Sequence, residues 1–252
     1  MKEKNYTDTP DKIYGRNPVI EALEAGRTID KLLIQDGIRH SQISKITAIA
    51  KERKIPFQFV NKRKLDEICD GNHQGVAAYA AAHSYASVDE ILEFAHSRGE
   101  APFVVIADGL TDPHNLGSIL RTANAAGAHG VIIPRNRSVS VTGTVAKVSA
   151  GAVEHIRVAR VTNIAQTLEQ LKKEGLWIVG TDLSAEQYHY DSDLKCALGI
   201  VIGSEGEGMS RLVREKCDFL VKIPMIGEIE SLNASVAAGI LLYEAVRQRR
   251  HE

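Results

Sequence analysis

Several things are scarce in this chain. Its 252 residues include three cysteines, Cys69, Cys196 and Cys217, odd in number and far apart, with no CxxC pair. That usage supplies no cysteine-based metal pattern and points to a reducing compartment, so a cytoplasmic setting is expected. No apolar run approaches the roughly 18–20 residues that span a bilayer. The opening stretch MKEKNYTDTPDKIYGRNP is charged and lacks the apolar core of a signal segment. Aromatic residues make up 5% of the chain, which argues against an aromatic stacking platform for single-stranded nucleic acid. A formal net charge of −1 gives no general case for a polyanionic partner. Familiar site motifs are missing as well: there is no GxxxxGK[ST] phosphate loop, no GxSxG nucleophile elbow and no HExxH pair. GSEGEG at 203–208 is not GxGxxG, because its glycines stand at relative positions 1, 4 and 6.

What is present is ordinary in bulk and informative in pattern. Apolar residues at 44% and charged residues at 25% suit a globular protein with a proper core, in one large domain or two small ones. Charge is unevenly spread. Arg39, Lys45, Lys51, Arg53, Lys54, Lys62, Arg63 and Lys64 stand against Glu52 within 39–64. Such a run attracts phosphates even on a neutral protein, although a solvated helix face followed by a charged turn is the plainer reading of charge alone.

Residues 1–12 read as a polar tail. From Ile13 to Ala82 a compact α/β pattern follows: helix at NPVIEALEAG, strand at IDKLLIQ, helix at SQISKITAIAKERKI, strand at PFQFV, short helix at NKRKLDEIC and strand at GVAAYAA. Residues 83–102 read as a linker containing one helix. From Phe103 onward strands at FVVIAD, GVIIP, HIRVAR, LWIVGTD, ALGIVIG and DFLVKIP alternate with helices at LGSILRTANAAG, NIAQTLEQLKKEG and MSRLVREKC. That alternation predicts a mainly parallel sheet covered on both faces, with a ligand site near the carboxyl ends of its strands. The last helix lies within GEIESLNASVAAGILLYEAVRQRR, with Leu232, Val236, Ile240 and Tyr243 as its apolar stripe and Ser or Asn capping its start.

Three segments place glycine and polar residues just after a strand: ADGLTDPHNLGSILRTANAAG, VIGSEGEGMSRL and IPMIGEIESLNASVAAG. In the first, Asp112-Pro113 favours a turn, Asn115 can cap the helix, Gly117 permits close backbone approach and Arg121 follows one turn later. In order and spacing the three resemble the motifs of the SpoU (TrmH-type) RNA 2′-O-methyltransferases of the SPOUT superfamily, over roughly 103–248. VTGTVAKVSAGAVEHIRV between them is similar too. The upstream domain resembles the substrate-binding domain, of the L30e/L7Ae fold, found in the subgroup that modifies large-subunit ribosomal RNA.

The resemblance implies a C-terminal α/β domain with a deep trefoil knot (103–252) and a small L30e-like α/β domain that holds RNA (13–82). It implies S-adenosyl-L-methionine as cofactor, no metal, a homodimer paired at the active site, and 23S rRNA or a large-subunit precursor as partner, with a guanosine as target. By that match Thr181, Asp182, Leu183, Gly203, Ile223, Ser231 and Leu232 surround the cofactor. Arg121 is the central catalytic residue, with Asn115, Glu205, Asn233 and Ser235 around it. Lys62, Arg63 and Lys64 are the expected RNA contacts. A tRNA substrate, a ribosomal site methylated for antibiotic self-protection, and a non-enzymatic RNA-binding assembly factor are the alternatives.

Overall fold

The computed structural model describes residues 11–69, 71–80 and 83–250. The expected tail therefore lies outside the described residues up to position 10, while its last two positions open a strand. The chain divides into two compact units, one up to Ser84 together with Val141–Gly143, the other Tyr85–Ser140 with the chain from Thr144 onward.

The first unit runs β1 (Asp11–Tyr14), α1 (Arg16–Glu24), β2 (Ile29–Gln35), α2 (Ser41–Glu52), β3 (Phe57–Val60), α3 (Lys62–Ile68) and β4 (Val76–Ala80). Its sheet has the order β1-β4-β2-β3, with β2 and β3 parallel and β4 antiparallel to both its neighbours. Strand alternation sorts side chains onto two faces. Leu32, Ile34, Val76 and Ala78 meet Val19 and Leu23 of α1 and Ile43, Ile46 and Ala50 of α2. Leu33 and Ala77 meet Leu65 of α3 and Cys69 on the other face. Asn61 starts α3 by accepting from the Lys64 N–H at 2.9 Å.

The second unit contains α4 (Val88–Ser97), β5 (Phe103–Ala107), α5 (Pro113–Ala125), β6 (Gly130–Pro134), α6 (Gly143–Val148) and β7 (Arg157–Val161). It continues with α7 (Ile164–Lys173), β8 (Trp177–Thr181), β9 (Gln187–Tyr188), β10 (Leu198–Ile202), α8 (Arg211–Lys216), β11 (Phe219–Lys222) and α9 (Ala234–Arg250). The seven strands are all parallel, in the order β7-β6-β5-β10-β8-β11-β9. β5 and β10 are buried along their whole length, as the unbroken apolar runs FVVIA and LGIVI require of strands covered on both faces. Among the described residues no helix is long and apolar enough to cross a membrane.

Two expectations need adjustment. Helix α4 falls in the stretch read as a linker, yet Ile91, Leu92 and Val88 belong to the core of the second unit. It begins with a capping box, in which Ser87 Oγ accepts from the Glu90 N–H at 3.1 Å and Glu90 Oε2 from the Ser87 N–H at 2.6 Å. Ile91 lies against Gly130, where a Cβ would come 2.5 Å from Ile91 Cδ1, so β6 admits the helix only because that position has no side chain.

Helix α9 corrects the stripe expected from its sequence. Its buried residues are Ala234, Ala238, Leu241, Leu242, Ala245 and Gln248, while Val236 and Tyr243 are 49% and 52% exposed. Alanines and leucines face inward, and α9 packs against α5, with Gly239 in ordinary contact range of Thr122. The far end is clamped by polar contacts. Gln248 Nε2 donates to Ser192 O at 2.9 Å, its Oε1 accepts from the Leu194 N–H at 2.9 Å, and Arg249 donates to Cys196 O at 2.6 Å.

If α4 is core, Ile91→Ala costs about 3 kcal/mol. Calorimetry should then find the unfolding midpoint lowered by roughly 6–12 °C. A shift below about 2 °C would mean that α4 does not hold the unit together.

Candidate active site

The carboxyl ends of β8, β10 and β11 lie side by side, and the loops leaving them enclose a cavity of about 590 Å³. That volume falls within the range of small-molecule sites, roughly 300–1,000 Å³. The loop after β10 folds back on itself: the Ser204 and Gly208 N–H groups donate to each other's carbonyls at 3.0 Å. A Cβ at Gly203 would come 2.3 Å from the Gly208 carbonyl carbon, so this turn can close only on glycine.

The tight turn sets Glu205 beside the starts of two helices distant in sequence. Its Oε1 accepts from Asn115 Nδ2 at 2.9 Å, from Asn233 Nδ2 at 2.5 Å and from the Ala234 N–H at 3.2 Å. Asn233 Nδ2 also donates to Asn115 Oδ1 at 2.7 Å. A carboxylate at the start of α9 meets unpaired amides and the positive end of the helix dipole, a favourable place for negative charge. Capping follows from the same arrangement. Asn233 Oδ1 accepts from the Ser235 N–H at 3.0 Å, the Val236 N–H at 3.3 Å and Ser235 Oγ at 2.6 Å. Asn233, and not Ser231, thus caps the last helix. Asn115 caps nothing: Asp112 accepts from the His114 N–H at α5, which frees the 7%-exposed Asn115 to face Glu205.

All seven residues matched to the cofactor, Thr181, Asp182, Leu183, Gly203, Ile223, Ser231 and Leu232, line the one cavity. Asn115, Glu205, Asn233 and Ser235 form the network at its α9 side, where Glu205 and Ala234 also belong to the lining. Arg121 stands apart. It is exposed on α5 and has no hydrogen bond or ion pair among the described residues. Gly117, one turn before it, lies close against α6, a Cβ there falling 2.7 Å from Val148 Cβ.

The sequence reading missed Arg214 and Glu230, both on the lining. Arg214 pairs with Asp182 at 2.8 Å and donates to Ser184 Oγ at 2.6 Å, fixing the loop after β8 from α8. Nothing local marks it, because its partner lies on another loop. Arg211 is held by Glu215 at 3.1 Å, and Lys222 lies over the Tyr188 ring at 5.0 Å. Glu207 and Glu230 have no such partner among the described residues, so the uncompensated charge of the lining is negative and suits a cationic ligand. Apolar Leu183, Ile223, Met225 and Leu232 provide surface for a flat ring. Cys217 is no nucleophile here, since burial pushes its thiol up to about 12. No group of three or more His, Cys, Asp or Glu able to hold a metal occurs among the described residues.

In the first unit the basic run is split by the sheet. Helix α2 lies on one face, where Lys45 pairs with Glu24 at 2.5 Å and Arg53 donates to the Leu23 carbonyl. Lys62, Arg63 and Lys64 are on α3, against the other face. Arg63 pairs with Glu67 at 3.2 Å, and Lys62 and Lys64 are exposed.

Comparison with known proteins agrees with this geometry. The model of the SpoU rRNA methylase family matches residues 102–243, and that of RNA 2′-O ribose methyltransferase substrate binding matches residues 12–86. Over 239 residues, 95% of this chain and 96% of the other, the sequence is 52% identical to YacO of Bacillus subtilis, a protein named for the TrmH family of tRNA/rRNA methyltransferases. The SpoU methyltransferase AviRb from Streptomyces viridochromogenes, solved with AdoMet, superposes with a TM-score of 0.62 at 27% identity, covering 96% of this chain and 91% of its own. An AdoMet-bound rRNA methyltransferase from Sinorhizobium meliloti gives 0.58 at 27% identity, covering 94% and 86%.

Replacing Glu205 by alanine strips an acceptor from three donors, one of them on a buried asparagine. On a partly exposed site this costs about 1–2 kcal/mol. The unfolding midpoint should drop by roughly 2–8 °C in a thermal melt. An unchanged midpoint would show that the network does not hold the site together.

Proposed function

This chain belongs to the SpoU family of RNA 2′-O-methyltransferases, and on that premise we propose that it methylates the ribose 2′-hydroxyl of a guanosine in 23S rRNA, with S-adenosyl-L-methionine as donor. The observation that carries the reading is the Glu205 network. It joins one residue from each of the three motifs beside a cavity of suitable size and charge. Within the family the chain resembles the bacterial 23S rRNA guanosine-2′-O-methyltransferase RlmB, which supports the ribosomal target and the guanosine. In this reading residues 13–82 hold the RNA, residues 103–252 carry the chemistry, and the setting is cytoplasmic. The match of residues 12–86 to the substrate-binding model supports the first assignment.

The cavity fits the donor. Ile223 and Leu232 can flank its adenine, main-chain groups of 203 and of 223–232 can read the ring edge, and the unpaired Glu207 and Glu230 favour its cationic centres. Bound there, the donor supplies an electrophilic methyl on a sulfonium, which passes to the 2′-oxygen as the C–S bond breaks and the hydroxyl proton leaves to solvent. The chain's own contribution is placement and charge. Arg121, exposed and without a partner among the described residues, is available to clamp the target phosphate and steady the developing alkoxide. An arginine is a permanent cation, so this role suits it better than that of proton acceptor. Asn115, Glu205, Asn233 and Ser235 hold the loop and helix starts that face the substrate.

The homodimer and the knot belong to the same proposal. Exposed Val236 and Tyr243 on α9, with Ile226 and Ile229 at 97% and 73% on the preceding loop, support a covering second copy. It would also complete a site from which Arg121 now stands apart. The insertion of β10 between β5 and β8, with α9 tied at its end to 192–196, supports the knotted topology.

Labelled S-adenosyl-L-methionine and total RNA from a strain lacking this chain test the proposal. The wild type should mark one alkali-resistant guanosine in 23S rRNA, and Arg121→Ala should lower the rate at least a hundredfold while still binding the donor. Label confined to tRNA would overturn the substrate, and no label on any RNA would overturn the activity. Gly203→Ala forces a methyl against the 208–209 backbone, and calorimetry should find donor binding weakened at least tenfold.

A further inference from the structure

The face of the first unit's sheet that carries α3 is only partly covered. Beside the helix lies a cleft of about 440 Å³ whose lining includes Lys31, Leu33, Gln58, Val60, Lys64 and Tyr79. Strand register explains its chemistry. Lys12 of β1 and Lys31 of β2 are both paired with Tyr79 of β4, so one rung across three strands reads lysine, tyrosine, lysine on a single face. Lys31 Nζ rests on Gln58 Oε1 at 2.9 Å and Lys12 Nζ on Ile68 O at 3.3 Å, neutral acceptors that leave both charges uncompensated. Lys64 adds a third ammonium from α3.

Among the described residues no carboxylate lines the cleft. The acids of α3 are engaged elsewhere, Asp66 with His73 at 2.9 Å and Glu67 with Arg63 at 3.2 Å. Tyr79 is half-buried, and its hydroxyl has no hydrogen-bond partner among the described residues. The cleft therefore combines an apolar floor of Leu33, Val60 and Ile68, the Tyr79 ring with its free polar tip, the Gln58 and Asn61 amides, and cations at its edge, with Phe59 also on the lining. A flat heterocycle carrying a phosphate satisfies every one of those groups.

We infer that this cleft holds one unpaired nucleotide of the RNA substrate, its base against Tyr79 and the Leu33–Val60 floor and its phosphate between Lys31 and Lys64. The inference rests on the RNA-modifying reading above. It separates one specific contact from the general basic character of the domain. It also revises the expectation drawn from low aromatic content, because one well-placed ring suffices for a single base. The α2 lysines, on the opposite face of the sheet, take no part.

The full chain would be tested by filter retention of labelled total RNA from the deletion strain across a salt series. Lys31→Glu/Lys64→Glu should weaken retention at least tenfold and flatten the log–log salt slope by about 0.7, as expected for one phosphate contact on a single strand. Tyr79→Leu should weaken it about tenfold with the slope unchanged. The charge-matched Lys45→Glu/Lys51→Glu pair on α2 should change retention less than threefold. Ultraviolet crosslinking of the wild type should leave a nucleotide on the peptide containing Tyr79. Equal losses in the two lysine pairs, or crosslinks confined to other peptides, would overturn the cleft. Methyl transfer by the wild type is the separate readout: a crosslink at Tyr79 without any transfer would sink the proposed activity and leave the cleft standing.

Discussion

One carboxylate oxygen, Glu205 Oε1, is the point on which the site depends. It satisfies a buried asparagine from α5, the capping asparagine of α9 and the first amide of that helix. These donors come from segments that no local preference would bring together. A side chain without an acceptor there would leave the buried Asn115 amide short of a partner. The position of Glu205 depends in turn on a loop whose close backbone approach admits only glycine at 203. Charge, turn geometry and two helix starts thus form one arrangement, in which each part supplies what another lacks.

Around that point the sheet does the larger positioning. All its strands run the same way, so the loops at their carboxyl ends collect at one edge. The cavity is walled by three such loops, the last of which leads into α9. In the first unit a mixed sheet has a different effect, dividing a contiguous basic run between two faces. Linear charge density overstates what any one partner can meet: Lys45 and Arg53 have internal tasks, whereas Lys64 borders open sheet.

Much of this was legible in the residues. Apolar runs such as FVVIA and LGIVI announce fully buried strands, and the positions of the three glycine-bearing segments mark the strand ends where the cavity lies. What escaped was set by partners remote in sequence. The stripe of α9 was misjudged because the face that packs inward carries Ala234, Ala238, Leu241, Leu242 and Ala245, while Val236 and Tyr243 point outward. Asn115 resembles a cap until Asp112, three residues earlier, is seen to hold that place. Arg214 shows no signal, since its role exists only once α8 lies beside the loop after β8. Helix α4 was underrated because polar flanks obscured four inward residues.

The final helix is fastened at both ends by partners far away along the chain. Asn233 meets Asn115 across 118 positions, and Gln248 meets Ser192 across 56. Such contacts close large loops, and each must offset the entropy of bringing distant segments together. A chain in which α9 is not docked lacks the helix side of its cavity and leaves Glu205 without its contacts to Asn233 and Ala234. Binding competence therefore requires α9 in place. Any ligand that requires the finished cavity draws the population toward the fully docked state by mass action.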